Sequence, residues 1–126
     1  FSATNDTYSV VKAEFIAMRL AAAIGLRVAP VQLTRANKKD VLLVQRFDRV
    51  RRGNGWARKS MVSALTMFGL HELQGHYGSY SDLADIIRAR FTDPEPTLRE
   101  LFGRMVFNVL CGNTDDHARN HAGFWD

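Results

Sequence analysis

With 126 residues, 46% hydrophobic content and a formal net charge of +4, the chain is sized for one ordinary domain or part of a larger one. It has no apolar run long enough to span a bilayer and no charged segment leading into an apolar one, so neither membrane contact nor a signal peptide is expected. The single cysteine, Cys111, excludes an internal disulfide. Its apolar neighbours predict a buried thiol, in keeping with a reducing, cytoplasmic setting.

Asn5, Asp6 and Thr7 offer N-cap oxygens. Val11, Phe15, Met18 and Ala22 then recur at helical spacing, Ile16, Leu20 and Ile24 extend the stripe, and Gly25 is placed to end the helix. Glu14 falls inside it. After Pro30, Val31 and Leu33 alternate with Gln32 and Thr34. Residues 36–40 read as a turn and 41–47 as a strand apolar enough to be buried on both faces, which together predict a hairpin. Residues 48–59 read as a polar loop around Gly53-Asn54-Gly55. Residues 35–59 hold nine Lys or Arg against two acids, a local +7, leaving −3 elsewhere. That patch suits nucleic acid, an acidic protein or nucleotide phosphates; a solvated basic loop is the plainer reading.

Ser60 to Phe68 reads as a short helix ending at Gly69. Residues 70–78, with His71 and His76, read as a second loop. Ser79 to Asp82 matches a capping box ahead of the helical face Leu83, Ile86, Ile87 and Phe91. Residues 92–96 break the chain, and Thr97 to Glu100 forms a second capping-box pattern. Leu98, Leu101, Phe102, Met105, Val106, Val109 and Leu110 predict a central helix with a wide apolar face. It leads into the polar stretch Gly112 to His121.

Within that stretch Asp115 and Asn120 stand as D-x-x-x-x-N, the interval of a protein-kinase catalytic loop. Phosphoryl transfer needs a carboxylate toward the incoming hydroxyl and a hard oxygen ligand toward Mg²⁺. Spacing alone also fits a solvated turn with Asn113 as a cap. Asp116, beside Asp115, is expected to raise the pKa of one of the two. His117 and His121 are four apart, as in a metal-dependent hydrolase, with Asp116 as a third ligand. Ala118, however, stands where that motif needs Glu, and a loop does not align the pair.

Two segments together resemble the HipA-type serine/threonine kinases, toxins of bacterial toxin–antitoxin modules. Val44-Gln45-Arg46-Phe47-Asp48-Arg49 is similar to their V-E-R-F-D-R segment, and Asn113 to Asn120 to their T-D-x-H-x-K-N loop. The resemblance covers nearly the whole chain. It implies an α+β, mainly helical, protein-kinase-like fragment: a helix and hinge hairpin over 1–48, then a helical part with the catalytic loop over 49–126. It implies ATP and Mg²⁺ as cofactors, with Asp115 as catalytic base and Asn120 as metal ligand. The backbone of Gln45 and Phe47 would hold adenine, Arg119 would steady phosphates or the loop, and His117 would orient the loop. Glu14 would partner a nucleotide-binding Lys. The implied partners are a protein substrate with Ser or Thr and an antitoxin, with DNA reached only through the antitoxin.

The sequence departs from the family at Gln45, where Glu is usual, and at Arg119, where Lys is usual. It holds no strand Lys of the V-A-I-K kind and no glycine-rich phosphate loop, and the second metal-binding Asp that the family places after Asn120 is expected beyond Asp126. The 126 residues therefore resemble a middle slice of a kinase, inactive by itself. The alternative is a non-catalytic basic domain that binds nucleic acid or an antitoxin.

Overall fold

A computed structural model describes residues 9–125. The expected cap at Asn5 to Thr7 lies outside them. The chain divides into two units, Phe1–Phe47 and Asp48–Asp126.

In the first unit, helix α1 spans Val10–Ala23, and Gly25 follows its C-cap with φ +88, a left-handed conformation that glycine adopts without a Cβ penalty. Strands β1 (Val31–Ala36) and β2 (Lys39–Val44) pair antiparallel. The turn is tighter than the sequence suggests, because Asn37 and Lys38 both take positive φ, as a two-residue hairpin turn requires. The helix packs on this hairpin through Val11, Phe15 and Ala21, and Lys12 reaches Asp40 at 3.1 Å. β2 is not buried on both faces: Leu43 and Val44 are about half exposed, as a two-stranded sheet covers only one side. Ile16, Leu20 and Ile24 likewise form an exposed edge of the helical stripe, and Glu14 is exposed.

The second unit opens with a correction. The expected loop over 48–59 is a hairpin, β3 (Arg49–Arg52) and β4 (Gly55–Arg58), turning on Gly53 at φ +54. The expected helix from Ser60 is first a strand, β5 (Ser60–Ser63). Only then comes a single helical turn, α2 (Ala64–Met67), capped by Ser63 Oγ on the Thr66 amide. β5 is drawn into extended form by the distant strand β6 (Ala122–Trp125), with Ser60 opposite Trp125. Local periodicity cannot register such a partner. The second expected loop is mostly a 3₁₀ helix, Glu72–Tyr77, which His71 caps.

Helix α3 (Tyr80–Arg90) starts as expected, with Ser79 Oγ accepting from the Asp82 amide at 3.1 Å. Helix α4 (Pro94–Cys111) starts earlier than expected. Pro94 sits in its first turn, where a missing N–H costs nothing. Thr97 is therefore inside the helix, its hydroxyl donating to the Asp93 carbonyl, and is not a cap. Gly112 ends α4 in the left-handed region at φ +66.

The core of this unit is Ala64, Leu83, Ile87, Leu101 and Ala118, flanked by Leu65, Met67, Phe68, Tyr80, Phe91 and Leu98. α4 is peripheral among the described residues. It packs against α3, with Leu101 buried and Leu98 and Met105 half-buried, while Phe102, Val109 and Leu110 are exposed. Cys111, at its last position, is exposed and not the buried thiol expected. Ala118, a 5%-exposed residue in the middle of the polar stretch, pins that stretch to the core.

Candidate active site: the loop from Gly112 to His121

The loop begins where Gly112 turns the chain out of α4. The Asn113 amide closes the helix end by donating to the Asn108 carbonyl at 2.9 Å. Its side chain then builds the next turn, with Oδ1 accepting from the Asp115 amide at 3.1 Å. This is the local Asx geometry in which Asn competes with helix. A 3₁₀ turn over Ala118–Asn120 follows, and the His121 carbonyl accepts from the Ala64 amide at 2.8 Å, joining the end of the loop to the start of α2.

The five-residue interval closes on itself. Asn120 Nδ2 donates to the Asp115 carbonyl and lies 3.5 Å from Asp115 Oδ2. The expected pair therefore shares one face of one turn. With Nδ2 committed to Asp115, Oδ1 is the Asn120 atom a hard cation would take. His117 Nε2 lies 3.3 Å from Asp115 Oδ1, and His117 Nδ1 is buried without a hydrogen-bond partner.

The adjacent carboxylates have opposite environments. The Asp115 side chain is 83% exposed; that of Asp116 is 16% exposed. Asp116 Oδ2 accepts from the Tyr80 hydroxyl at 2.6 Å, and its Oδ1 lies 2.7 Å from His121 Nε2. Burial pushes the Asp116 carboxyl up. Hydrogen bonds with Tyr80, His121 and Asn108 outweigh that and leave it below the usual carboxylate range. The rise that the neighbouring carboxylate is expected to give one of the pair is not seen at Asp116, because its oxygens face Tyr80 and His121. For Tyr80, burial and then the bond to Asp116 push the hydroxyl up to about 12.

Arg119 Nη1 reaches Glu72 Oε1 at 2.9 Å, so the guanidinium lies against the 3₁₀ helix that precedes α3. Both partners are about half exposed or more, which makes this a weak pair that a stronger anion could displace. Gln45 and Phe47 belong to the other unit, where the Gln45 amide donates to the Pro30 carbonyl at 2.9 Å. Sequence reasoning missed Tyr80, Asn108 and Glu72 as neighbours of the loop. Tyr80 is legible only as the first residue of a capped helix.

Among the described residues no three His, Cys, Asp or Glu side chains converge to hold a metal ion. His117 and His121 turn to different aspartates, which removes the basis for a zinc-hydrolase reading. The residues present do suit Mg²⁺, which keeps several waters and takes one or two oxygen ligands from protein. A shallow recess of about 350 Å³ lies elsewhere, lined by Asp48, Arg58, Lys59, Ser60 and Met61. Among the described residues no helix is long and apolar enough to cross a membrane.

Comparison with known proteins places this geometry in context. The family model described as the HipA-like C-terminal domain matches residues 1–126. A protein of Sinorhizobium fredii named as a kinase, Y4mE, is 32% identical over 90% of the chain and 28% of its own length. The serine/threonine-protein kinase toxin HipA of Shewanella oneidensis is 28% identical over 88% of the chain and 29% of its own length. A solved complex of the HipA, HipB toxin–antitoxin system of Shewanella oneidensis with its operator DNA contains a chain of similar fold. The TM-score is 0.80 and the identity 26%, over 95% of this chain and 32% of that one. The chain thus spans less than a third of the length of the relatives it matches.

Proposed function

This chain belongs to the HipA-like C-terminal domain family, and on that premise we propose that it carries the catalytic loop of a serine/threonine-protein kinase. The reaction is transfer of the ATP γ-phosphate to a Ser or Thr hydroxyl of a protein. The biological role is that of the toxin in a toxin–antitoxin module, with an antitoxin protein as partner. Relatives named as kinases, one of them a toxin, support this reading.

The observation that carries it is the division of labour between the two carboxylates. A base for an incoming hydroxyl must be reachable, and Asp115 is; a carboxylate buried under Tyr80 and His121 is not. Asp115 therefore receives the hydroxyl proton and orients the attacking oxygen. Asn120 holds Asp115 from behind and offers its amide oxygen to the metal. Bound Mg²⁺ supplies charge neutralisation at the phosphates. His117 braces the Asp115 carboxylate. Arg119 leaves Glu72 for a phosphate oxygen when nucleotide binds, since a phosphate is the stronger partner for a guanidinium. The backbone of Gln45 and Phe47 is assigned to adenine by family resemblance.

The test is made in the intact protein. Asp115→Ala abolishes transfer from γ-labelled ATP while ATP binding persists, and Asn120→Ala lowers Mg²⁺-dependent ATP binding. Unchanged turnover in Asp115→Ala would sink the reading. Residues 1 to 126 alone transfer no phosphoryl group, because their sequence has neither the strand Lys nor a phosphate-covering loop.

A further inference from the structure

The basic segment singled out in the sequence is not absorbed by the kinase reading, and its structure is specific. The β3–β4 ribbon pairs Arg49 with Arg58 and Arg51 with Trp56. Directly opposed residues share a face, and alternate residues along a strand share it too. One face of the ribbon therefore carries three arginines and a tryptophan. The other carries the half-buried Val50 and Ala57 and, at the turn, the exposed Arg52 opposite Gly55. Trp56 is 63% exposed, and the Arg51 guanidinium lies over its ring, 5.5 Å from the centroid. Lys59 continues the cationic surface at the ribbon's foot, its ammonium 4.5 Å from the Phe124 ring centroid. The recess lined by Arg58, Lys59 and Asp48 adjoins it.

Core packing does not explain this face. An indole mostly in water adds little to a core, and opposed like charges across a ribbon weaken it. Asp48 lies 3.0 Å from Arg49. The remaining cations ask for an anionic ligand, and the indole asks for a flat ring.

We propose that this ribbon face is a binding surface for single-stranded nucleic acid, with Arg51, Arg58 and Lys59 on phosphates and Trp56 stacked on a base. Unstacked bases offer π-faces to aromatic side chains, whereas a duplex hides them. An acidic peptide matches the charge but leaves the indole without a partner. The contact is direct, in contrast to the antitoxin-mediated one that family resemblance implies, and it does not depend on the kinase reading.

The experiment uses the intact protein and fluorescein-labelled 12-nucleotide oligo-U and oligo-dT, with polyglutamate as the acidic-protein mimic. Binding is followed by anisotropy at several salt concentrations. Contact with about three phosphates gives a slope of roughly −2 for log K against log salt. Trp56→Ala weakens oligonucleotide binding by about tenfold or more, the loss of one stacked base, and leaves polyglutamate binding unchanged. Arg51→Ala with Arg58→Ala weakens both ligands. Arg51→Lys with Arg58→Lys keeps the charge and most of the oligonucleotide affinity, and circular dichroism melts confirm that each variant folds. Tighter oligo-U identifies RNA as the ligand, and tighter oligo-dT identifies DNA. The proposal is overturned if Trp56→Ala leaves oligonucleotide affinity unchanged, if it weakens both ligands equally, or if polyglutamate binds more tightly than either oligonucleotide.

Discussion

The Tyr80 hydroxyl donates to Asp116 at 2.6 Å across 36 residues of chain, tying the first turn of α3 to the loop that carries Asp115 and Asn120. A hydrogen bond to a charged group is among the stronger single polar contacts in a protein. Tyr80→Phe removes the donor and keeps the ring in the core. It is expected to cost about 1–2 kcal/mol in urea unfolding. A loss under about 0.5 kcal/mol would mean the bond does not hold the loop in solution.

The same carboxylate sets an acid limb. The folded-state pKa of Asp116 is depressed, so its contribution is present above the unfolded carboxyl value, about 3.9, and is lost as pH falls through the folded value. Stability should therefore fall as pH drops below about 4. Asp116→Asn should flatten that limb in thermal melts taken between about pH 2.5 and 6. An identical acid limb in the variant would show that other carboxylates set it.

At the alkaline end the sign is opposite. Tyr80 is raised to about 12, so the folded protein keeps its phenolic proton through a range where an unfolded chain, with pKa near 10, loses it. Its contribution is complete below about pH 10 and is lost as pH climbs toward 12. In the ultraviolet titration of tyrosinate, the step absent from Tyr80→Phe should have its midpoint well above 10. A missing step near 10 would contradict the buried hydrogen bond.

Two glycines near the loop are sensitive for different reasons. A Cβ on Gly78 would stand 2.5 Å and 2.8 Å from ring atoms of Phe68 and 3.2 Å from the Ala118 Cβ. Overpacking there should cost about 1–3 kcal/mol in Gly78→Ala. Gly112 has open space around it, so Gly112→Ala costs only the left-handed conformation, about 1 kcal/mol. Calorimetry that ranked Gly112→Ala as the more damaging would contradict this packing.

What the sequence made legible was local. The end of α1 could be read from Gly25 and the start of α3 from Ser79, because a cap or a left-handed stop is decided within a few residues. Asp115 and Asn120 could be read because five positions suffice to bring them together. The errors lay where distant chain decides. Ser60 to Ser63 carry no alternating pattern, yet become a strand because residues 122–125 pair with them. Arg49 to Arg58 read as a loop because polarity and glycine masked a ribbon whose outer face carries three arginines and a tryptophan. Asp116 read as a second active-site carboxylate because Tyr80 was out of sight.

The pairing of Ser60 with Trp125 also sets an order of assembly. Helices α3 and α4 can form from neighbouring residues as they are synthesised. The ladder that fixes the C-terminal end of the 112–121 loop forms only once residues 122–125 have been made. Until residues 122–125 pair with 60–63, α3 and α4 can stand while the loop between α4 and β6 is untethered at its far end.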